Sequence, residues 1–395
     1  MKTPTLWQIF SAFFSLGCHA FGGPAAHLVL FHQRFVIEKK WLNSTEYAQI
    51  IALTQLLPGP SSSQTGMAIG YLQQRYCGAI VAWLGFTLPS ALCMILIAYS
   101  LQRWNFHFDP HFFNTLLIIV LAIVSFAFWQ MLRSYCQNIG QYLVMSASCI
   151  GLVLLPYSWM QFLIILSAAS IGWLFSSPIS TDVQNTATPI KAASKTAYWW
   201  IYIFLMLFIA LFVLQLIVPT LIFKAIYHFY STGALVFGGG HVILPMLYQD
   251  FVTTHFISNA QFDFGYTFAQ LMPGPLFTFA SYLGALLPIT PFKLLNGLIA
   301  TLAIFLPSLL LIFGTLPYWA QLLNNAKVQS MVLLINAAVI GFLAAIILPM
   351  AQKGLQHWQD ILCLSIMLIC LRYKISLFIS IPLTCMIAFA LHHSL

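Results

Sequence analysis

Charged residues are scarce in this sequence. Of its 395 residues, 61% are hydrophobic and only 6% are charged, whereas roughly a quarter of an average soluble protein is charged. So few charges cannot solvate the surface of a soluble domain, which excludes that class. The basic residues are dispersed among loops and helix ends, so the formal net charge of +8 does not indicate a nucleic-acid partner. Basic cytoplasmic loops and attraction of an anionic substrate are the two explanations left open.

Signatures of secretion, metal binding and catalysis are absent as well. Lys2 precedes an apolar run, but F-G-G-P follows where a small-residue cleavage site would stand, so we expect a retained first helix. The eight cysteines form no C-x-x-C pair, which argues against a metal site and against a disulfide framework. G-x-S-x-G, H-E-x-x-H and G-x-x-x-x-G-K-[ST] are also missing. The protein is therefore predicted not to be an enzyme, with no catalytic residue, cofactor or ATP hydrolysis.

Long apolar runs are what the sequence does contain. A helix needs about 20 residues to span a bilayer. Runs of about that length lie at 77–101, 112–132, 198–216, 294–316 and 328–350. Pro and Gly interrupt several others, and counting these gives roughly a dozen membrane segments. The sequence therefore predicts an all-α polytopic membrane protein with some broken or re-entrant helices.

Two copies of one unit follow each other along the chain. F-S-x-G, F-G-G, Q-L-x-P-G-P and L-P-S in the first copy recur, with Tyr for the first Phe, 215 to 218 positions later. The matched pairs are 14–17 with 230–233, 21–23 with 237–239, 55–60 with 270–275, and 88–90 with 306–308. Such internal duplication is common in transporters. We expect a first transmembrane repeat over 1–176, a polar linker over 177–197 and a second repeat over 198–395.

The second copy is predicted to be inverted in the membrane. An additional apolar helix at 198–216 precedes it, and one extra crossing reverses its direction if a repeat crosses an even number of times. The loops after F-G-G differ in charge, with Arg34, Lys39 and Lys40 in the first copy and Asp250, His255 and Phe256 at the matching positions. Because basic residues concentrate in cytoplasmic loops, we expect the 34–41 loop in the cytoplasm. Arg34 and Asp250 either pair or lie in opposite loops.

The helix-breaking motifs are the candidate substrate site. Proline and glycine interrupt helices, and freed backbone groups at membrane depth are tolerated only where they are packed in protein or line a wet cavity. Packed kinks and tight surface turns are therefore the structural alternatives to a binding cavity. Helix N-termini offer unpaired N–H donors and a partial positive charge, which suits an oxyanion. The candidate substrate-binding residues are Gly22, Gly23, Gln55, Pro58, Gly59, Pro60, Ser62, Ser63, Gln64, Gly238, Gly239, Gly240, His241, Gln270, Pro273, Gly274, Pro275 and Thr278.

The side chains of this set differ in their expected roles. Serines after Pro60 are donors for an anion or N-caps of the next helix, whereas the second copy has Leu276 and Phe277 there, so we expect an unequal site. His241 follows three glycines and is the best-placed histidine for anion contact or proton handling, ahead of His27 and His32. A structural role is the alternative for each histidine. No acidic residue lies in the middle of a long apolar run, so a carboxylate proton relay is not supported.

At these motifs the chain resembles the chromate ion transporter family in its long, two-repeat form. The matching segments are F-G-G-P at 21–24, W-L at 41–42, Q-L-L-P-G-P-S-S-S-Q at 55–64, L-P-S at 88–90, F-G-G-G-H-V-I-L-P at 237–245, Q-L-M-P-G-P-L-F-T-F-A at 270–280, Y-L-G at 282–284 and L-P-S at 306–308. The resemblance covers both halves. It implies a gradient-driven, multi-pass inner-membrane protein of bacteria or a related organism that exports chromate and has antiparallel halves. One departure is Tyr248, where similar proteins often carry Glu.

Two alternatives to chromate export stay open. One is transport of sulfate, a close isostere, or of another small oxyanion. The other is a passive channel or structural membrane subunit, which paired intramembrane breaks disfavour, since a channel needs a continuous polar lining. The expected partners are a small inorganic oxyanion and the lipid bilayer, with no nucleic acid; a homodimer is left open.

Overall fold

The computed structural model describes residues 3–21, 23–103, 110–155, 158–175, 197–218, 220–237, 242–319, 322 and 325–393, which form helices joined by short connecting segments. The first half contains α1 (Leu6–His19), α2 (Gly23–Phe31), α3 (Ser44–Leu56), α4 (Ser61–Arg103), α5 (Pro110–Tyr135), α6 (Ile139–Leu154) and α7 (Ser158–Leu174). The connecting helix is α8 (Tyr198–Ile217). The second half contains α9 (Leu221–Leu235), α10 (Ile243–Phe251), α11 (Asn259–Leu271), α12 (Phe279–Leu286), α13 (Lys293–Thr315), α14 (Ala326–Gly354), α15 (Trp358–Arg372) and α16 (Leu377–His393).

Five of the described helices are long and apolar enough to cross a membrane. They are Ser61–Leu101, His111–Tyr135, Tyr198–Ile217, Lys293–Tyr318 and Ala326–Gly354. Each contains one of the apolar runs predicted from the sequence, so the all-α prediction with membrane-length helices is confirmed. The count of about a dozen segments depends on whether the shorter apolar helices also cross, and it stays a prediction. The predicted linker lies outside the described residues up to position 196.

Helix α4 is a folded-back pair rather than one rod. Gln74 (φ −140°, ψ 33°) and Arg75 (φ 47°, ψ −137°) are non-helical within it. In a straight helix, residues eight apart lie about 12 Å from each other, yet a Cβ on Gly70 would come 2.3 Å from the carbonyl oxygen of Gly78. The chain therefore reverses at 74–75, and the short segment before it precedes the membrane-length arm at 76–103. In the second half a loop at 287–292 separates the corresponding helices α12 and α13.

The S-x-G motif recurs because both halves pack their first helix closely against their long helix. A Cβ on Gly17 of α1 would lie 2.7 Å from the carbonyl oxygen of Phe86 in α4. A Cβ on Gly233 of α9 would lie 2.0 Å from the carbonyl oxygen of Ile304 in α13. Only glycine allows backbones to approach this closely at helix crossings. The matched glycines therefore make matched contacts.

Helix starts are matched between the halves too. A capping box of Asn43 and Glu46 begins α3, and one of Ser258 and Gln261 begins α11, 215 positions later. In a capping box, the side chain of the N-cap residue accepts a hydrogen bond from the N–H of the third helical residue. The side chain of that third residue accepts one from the N–H of the N-cap residue, and the two bonds hold the helix start in place. Helices α3 and α11, each of which leads into P-G-P, are therefore positioned by the same local device.

The two halves are interleaved rather than side by side. Helix α14 of the second half packs on α6 and α7 of the first half, while α5 of the first half packs on α15 and α16 of the second. Helices α5 and α14 also contact each other. The connecting helix α8 packs on α9 and α13 but contributes no buried residue, as suits a helix that faces lipid. Helices α4, α11 and α12 contact one another, and α2 packs on α4. The F-G-G and P-G-P breaks lie in this region.

Candidate functional site

The broken elements of the two halves hydrogen-bond to each other. The N–H of Gly59 donates to the carbonyl oxygen of Val236 over 2.6 Å, and the N–H of Gly274 donates to that of Ala20 over 2.9 Å. Gly59 and Gly274 are the central residues of the matched P-G-P motifs, and Ala20 and Val236 each directly precede F-G-G. Each P-G-P is therefore anchored to the start of the F-G-G motif in the opposite half.

The L-P-S serines complete this contact, again across the halves. A Cβ on Gly59 would lie 2.4 Å from Oγ of Ser308, and a Cβ on Gly274 would lie 2.8 Å from Oγ of Ser90. Both glycines have positive φ, 117° and 97°, a conformation that strains any residue with a Cβ. We call this meeting point the central junction; its residues are Ala20, Gly59, Ser90, Val236, Gly274 and Ser308.

Helix α4 begins at the central junction with buried hydroxyl groups. Ser62 and Ser63 are 2% exposed. The first intrahelical bond at this end runs from the N–H of Gln64 to the carbonyl oxygen of Pro60 over 2.9 Å, so the N–H groups of 61–63 have no acceptor within the helix. The hydroxyl of Ser63 has no partner among the described residues. The helix N-terminus thus presents several buried donors and a partial positive charge.

Gln64 joins the halves directly. Its Nε2 donates to the carbonyl oxygen of Pro58 and, over 3.3 Å, to Oγ of Ser308. Oε1 of the same side chain is buried without a partner in the described part of the chain. The amide N–H₂ group of Gln64, a candidate substrate-binding residue, therefore holds P-G-P against L-P-S. Gln64 acts on the site through the position of Pro58 and Ser308.

His27 is a structural member of the same region. It is 1% exposed, and its Nε2 lies 3.0 Å from the carbonyl oxygen of Ala20. A carbonyl only accepts, so Nε2 carries the proton and, in a neutral ring, Nδ1 accepts from the hydroxyl of Ser62 over 3.3 Å. This satisfies the structural alternative stated for the histidine. The matching position in the second half is Ile243, so only the first half has this link.

Among the described residues, the second half brings fewer polar side chains to the junction. Thr278 donates its hydroxyl to the carbonyl oxygen of Pro275 over 2.8 Å, and its N–H bonds to the same oxygen over 3.0 Å. Leu276 and Phe277 occupy the rest of the 3₁₀ turn Leu276–Thr278. The hydroxyl-rich edge of the junction thus comes from the first half.

A cavity of about 440 Å³ lies beside the junction, between the halves. The predicted residues Gly23, Gln270 and Gly274 line it. It also contains Gln130 of α5 together with Lys374 and Ser376 of the segment between α15 and α16, which lie outside the repeated motifs. A glutamine inside an otherwise apolar run was the available sequence signal for Gln130. Lys374 carried no such signal, since a lysine in a connecting segment also fits a loop that sets orientation.

The remaining candidate substrate-binding residues differ in burial and in their place relative to the cavity. Gln55 is exposed near the end of α3, whereas its match Gln270 lines the cavity and bonds to Tyr266. Pro58 and Pro273 are half-buried, and Pro60 and Pro275 are buried. The candidates outside the described residues are Gly22, Gly238, Gly239, Gly240 and His241.

The structure shows the partners of two acidic residues, Glu38 and Asp250, which the sequence did not determine. Arg34 pairs with the exposed Glu38 over 2.7 Å, and Asp250 pairs with His228 over 3.0 Å, so Arg34 and Asp250 each bond within their own half. The Arg34 guanidinium lowers the pKa of Glu38 from its usual value. Asp263 is only 4% exposed, inside α11. The capping box that begins this helix uses Gln261.

Comparison with known proteins identifies the family. The family model described as chromate transporter matches the chain twice, over residues 7–173 and 223–391. A chromate transport protein of Cupriavidus metallidurans is 26% identical over 363 residues, which cover 89% of this chain and 84% of that protein. A probable chromate transport protein of Synechococcus elongatus is 25% identical over 364 residues, covering 89% and 86%. A chromate transport protein of Pseudomonas aeruginosa is 24% identical over 358 residues, covering 87% and 81%.

No solved structure matches the chain significantly. Ala20 and Gly59 lie within the first family match, and Val236 and Gly274 lie within the second. The residues that form the two bonds between the halves are therefore part of the matched sequence. With most of its length covered by these matches, this chain belongs to the chromate transporter family.

Proposed function

We propose that this protein exports chromate, a tetrahedral dianion, across the cytoplasmic membrane, driven by ion gradients. The substrate is proposed from the family and from relatives described as chromate transport proteins. The observation that carries the mechanism is the reciprocal pair of bonds, Gly59 to Val236 and Gly274 to Ala20. Energy from a gradient is proposed because the sequence contains no nucleotide-binding loop.

We propose that the halves have inverted topology. Gly59 of the first half contacts Val236 of the second, and the matched Gly274 contacts the matched Ala20. Such a reciprocal pair of contacts relates the two halves by an approximate two-fold axis. That axis lies in the membrane plane if the halves are antiparallel and along the membrane normal if they are parallel. The connecting helix α8 and the basic 34–41 segment, matched by Asp250, His255 and Phe256, support the antiparallel arrangement.

The oxyanion is proposed to bind at the start of α4. Its oxygens accept hydrogen bonds, and the proposed donors are the N–H groups of 61–63, which have no acceptor within the helix, and the hydroxyl of Ser63, which has no partner among the described residues. Ser62 and Ser63 are buried, so each bond that they make to a charged ligand is stronger than it would be in water. The positive end of the helix offsets part of the anion's charge. Gln64 and His27 hold the donors in place through Pro58, Ser308 and Ser62.

Alternating access is proposed to use the same two-fold relation. In this structure the cavity lies on the side of the junction that contains Gly23 and Gly274. A rocking movement of one half against the other would close that side and open the matching side beside Gly59 and Val236. The substrate would stay at the junction while its exposure changes, as in other transporters built from inverted repeats.

Flux into proteoliposomes tests this function, with chromate, sulfate and the pH gradient varied separately. We expect chromate uptake that saturates, that requires an imposed gradient and that is abolished by Pro58→Ala or Pro273→Ala. Sulfate is the competing substrate because backbone and hydroxyl donors recognise any tetrahedral dianion of similar size. Faster saturable flux of sulfate than of chromate would reassign the substrate. Flux that does not saturate and shows no counterflow would support a channel and contradict the proposal.

A further inference from the structure

The cavity beside the central junction contains one charged side chain among the described residues that line it, Lys374. Most of the lining is apolar, including Phe21 and Phe378, whose rings pack edge-to-face with centroids 4.8 Å apart. The ammonium group of Lys374 has no acceptor among the described residues of the chain. Lys374 is exposed, so water reaches its ammonium group and its attraction for an anion should depend on the salt concentration.

The backbone presents Lys374 to the cavity by an unusual turn. Lys374 has φ 57°, a left-handed conformation that is disfavoured for residues with a Cβ. The N–H of Ile375 donates to the carbonyl oxygen of Cys370 over 2.9 Å, and that of Lys374 to Leu371 over 3.1 Å, which closes the end of α15. Glycine is the usual residue at such a helix end. Lysine at this position therefore costs conformational strain that helix termination alone does not require.

The remaining polar groups of the cavity also suit an anion. Gln130 and Gln270 bring side-chain amides, and Ser376 brings a hydroxyl. Gly23 and Pro24 form part of the wall where α2 begins, so the partial positive charge of that helix end reinforces the lysine. None of the lining residues in the described part of the chain is acidic.

The size of the cavity indicates a hydrated ligand. Its volume of about 440 Å³ has room for roughly 15 water molecules at about 30 Å³ each. A tetrahedral oxyanion fits there with much of its water shell. Ser62 and Ser63 at the start of α4 are buried, whereas Lys374 and Ser376 of the cavity are exposed.

We propose that this cavity is an anion vestibule in which Lys374 captures dianionic tetrahedral oxyanions before they reach the central junction. The amides of Gln130 and Gln270 assist by donating to the hydrated anion. The vestibule rests on the proposed function only in naming the junction as the next binding site. Its role is to raise the local concentration of the anion, an effect of about tenfold or more for a focused field.

Lys374→Gln tests the vestibule, with Arg372→Gln as its matched control. Arg372 carries the same charge two residues away and does not line the cavity. For Lys374→Gln we expect the KM of chromate flux in proteoliposomes to rise about tenfold at about 20 mM salt, with maximal flux within twofold. The difference should shrink towards 1 M salt, where the Debye length falls to about 3 Å. Arg372→Gln should stay within twofold of wild type, and Lys374→Arg should restore capture.

Ser376→Asp provides a second variant that keeps the fold. The carbonyl oxygen of Ser376 accepts from the N–H of Ser380 over 3.0 Å, so residue 376 is the N-cap of α16, a position that Asp fills as well as Ser. A new carboxylate in the cavity should repel the anion and raise KM at least as much as Lys374→Gln. If both variants keep the wild-type KM, or if Arg372→Gln matches Lys374→Gln, the vestibule is wrong while chromate transport stands.

Calorimetric titration of the purified full-length protein with sodium sulfate separates the two proposals. If wild type carries no chromate, the proposed function fails, and titration alone decides on the vestibule. Sulfate binding that is lost in Lys374→Gln and kept in Arg372→Gln supports the vestibule. Binding that is the same in all three proteins, or absent from all three, overturns it.

Discussion

The N–H of Gly59 donates to the carbonyl oxygen of Val236 across the boundary between the two halves of the chain, over 2.6 Å. Its counterpart from Gly274 to Ala20 measures 2.9 Å. Both bonds join backbone to backbone, so they depend on the shape that P-G-P imposes and on the absence of a side chain at its centre.

Gly59→Ala should destabilise the protein by about 1–3 kcal/mol and abolish chromate flux. The added Cβ would meet Oγ of Ser308 at 2.4 Å, and φ of 117° strains any residue other than glycine. Gly274→Ala should have a smaller effect, because its nearest contact is 2.8 Å to Oγ of Ser90. Thermal unfolding in detergent and proteoliposome flux measure the two effects.

Gly140→Ala in α6 is the matched control for the junction glycines. A Cβ there meets only Oδ1 of Asn138, at 3.6 Å, so stability should stay the same or rise by about 0.5–1 kcal/mol. Adding Ser308→Ala to Gly59→Ala should recover part of the lost stability by removing the clashing hydroxyl. Normal flux in Gly59→Ala would show that the junction does not take part in transport.

Ser63→Ala should separate substrate binding from stability. Its hydroxyl has no partner in the described structure, so the unfolding free energy should change by less than about 0.5 kcal/mol. A hydrogen bond to a charged ligand contributes about 1.5–3 kcal/mol, so KM for chromate should rise by about tenfold or more. The measurements are denaturation midpoints and concentration-dependent flux.

Thr65→Val is the contrast to the Ser63 variant. The hydroxyl of Thr65 lies 3.0 Å from that of Thr54 and donates to the carbonyl oxygen of Ser61 over 2.9 Å. Its loss should lower stability by about 1 kcal/mol and leave KM within twofold. The same KM in both variants would place the anion somewhere other than the start of α4.

Gln64→Leu should lower stability by about 1–3 kcal/mol because it removes the donor to Pro58 and Ser308 and leaves a buried carbonyl unpaired. We expect flux to fall with it, since P-G-P is then no longer held against L-P-S. Gln64→Glu should lower flux more than Gln64→Leu does, because it places a negative charge beside the anion donors. Flux equal to wild type in Gln64→Leu would mean that this bridge has no part in positioning the site.

Ser44→Cys and Asn259→Cys, made without the native cysteines, should react with an impermeant thiol reagent from opposite sides of the membrane. These residues are the exposed first positions of α3 and α11, 215 apart. Inverted halves place them on opposite faces, with Ser44 in the cytoplasm. Labelling of intact cells and inverted vesicles is the measurement, and reaction of both cysteines from the same side would exclude the antiparallel arrangement.

Much of the helical frame could be read from the sequence because it depends on local patterns. The apolar runs that begin at Cys77 and Leu294 have the length and composition of membrane helices before any tertiary contact forms. The roles of individual polar residues could not be read in this way. Gln64 is a candidate substrate-binding residue from its place after P-G-P, and the structure adds a bridge from its amide to Ser308, 244 positions away. A local sequence pattern spans only a few residues, so it cannot predict a contact between residues that are so far apart in the chain.

The sequence by itself determined that the chain is an all-helical membrane protein with duplicated breaks at F-G-G and P-G-P, since apolar length, proline and glycine act on the backbone within a few residues. Only the tertiary structure decided which breaks meet. P-G-P of each half bonds to the residue before F-G-G of the other half, and Lys374 comes to lie in the cavity beside Gly274. The physical reason is that unpaired backbone groups inside a membrane protein need partners, and the interleaved packing of the halves supplies those partners from distant parts of the chain.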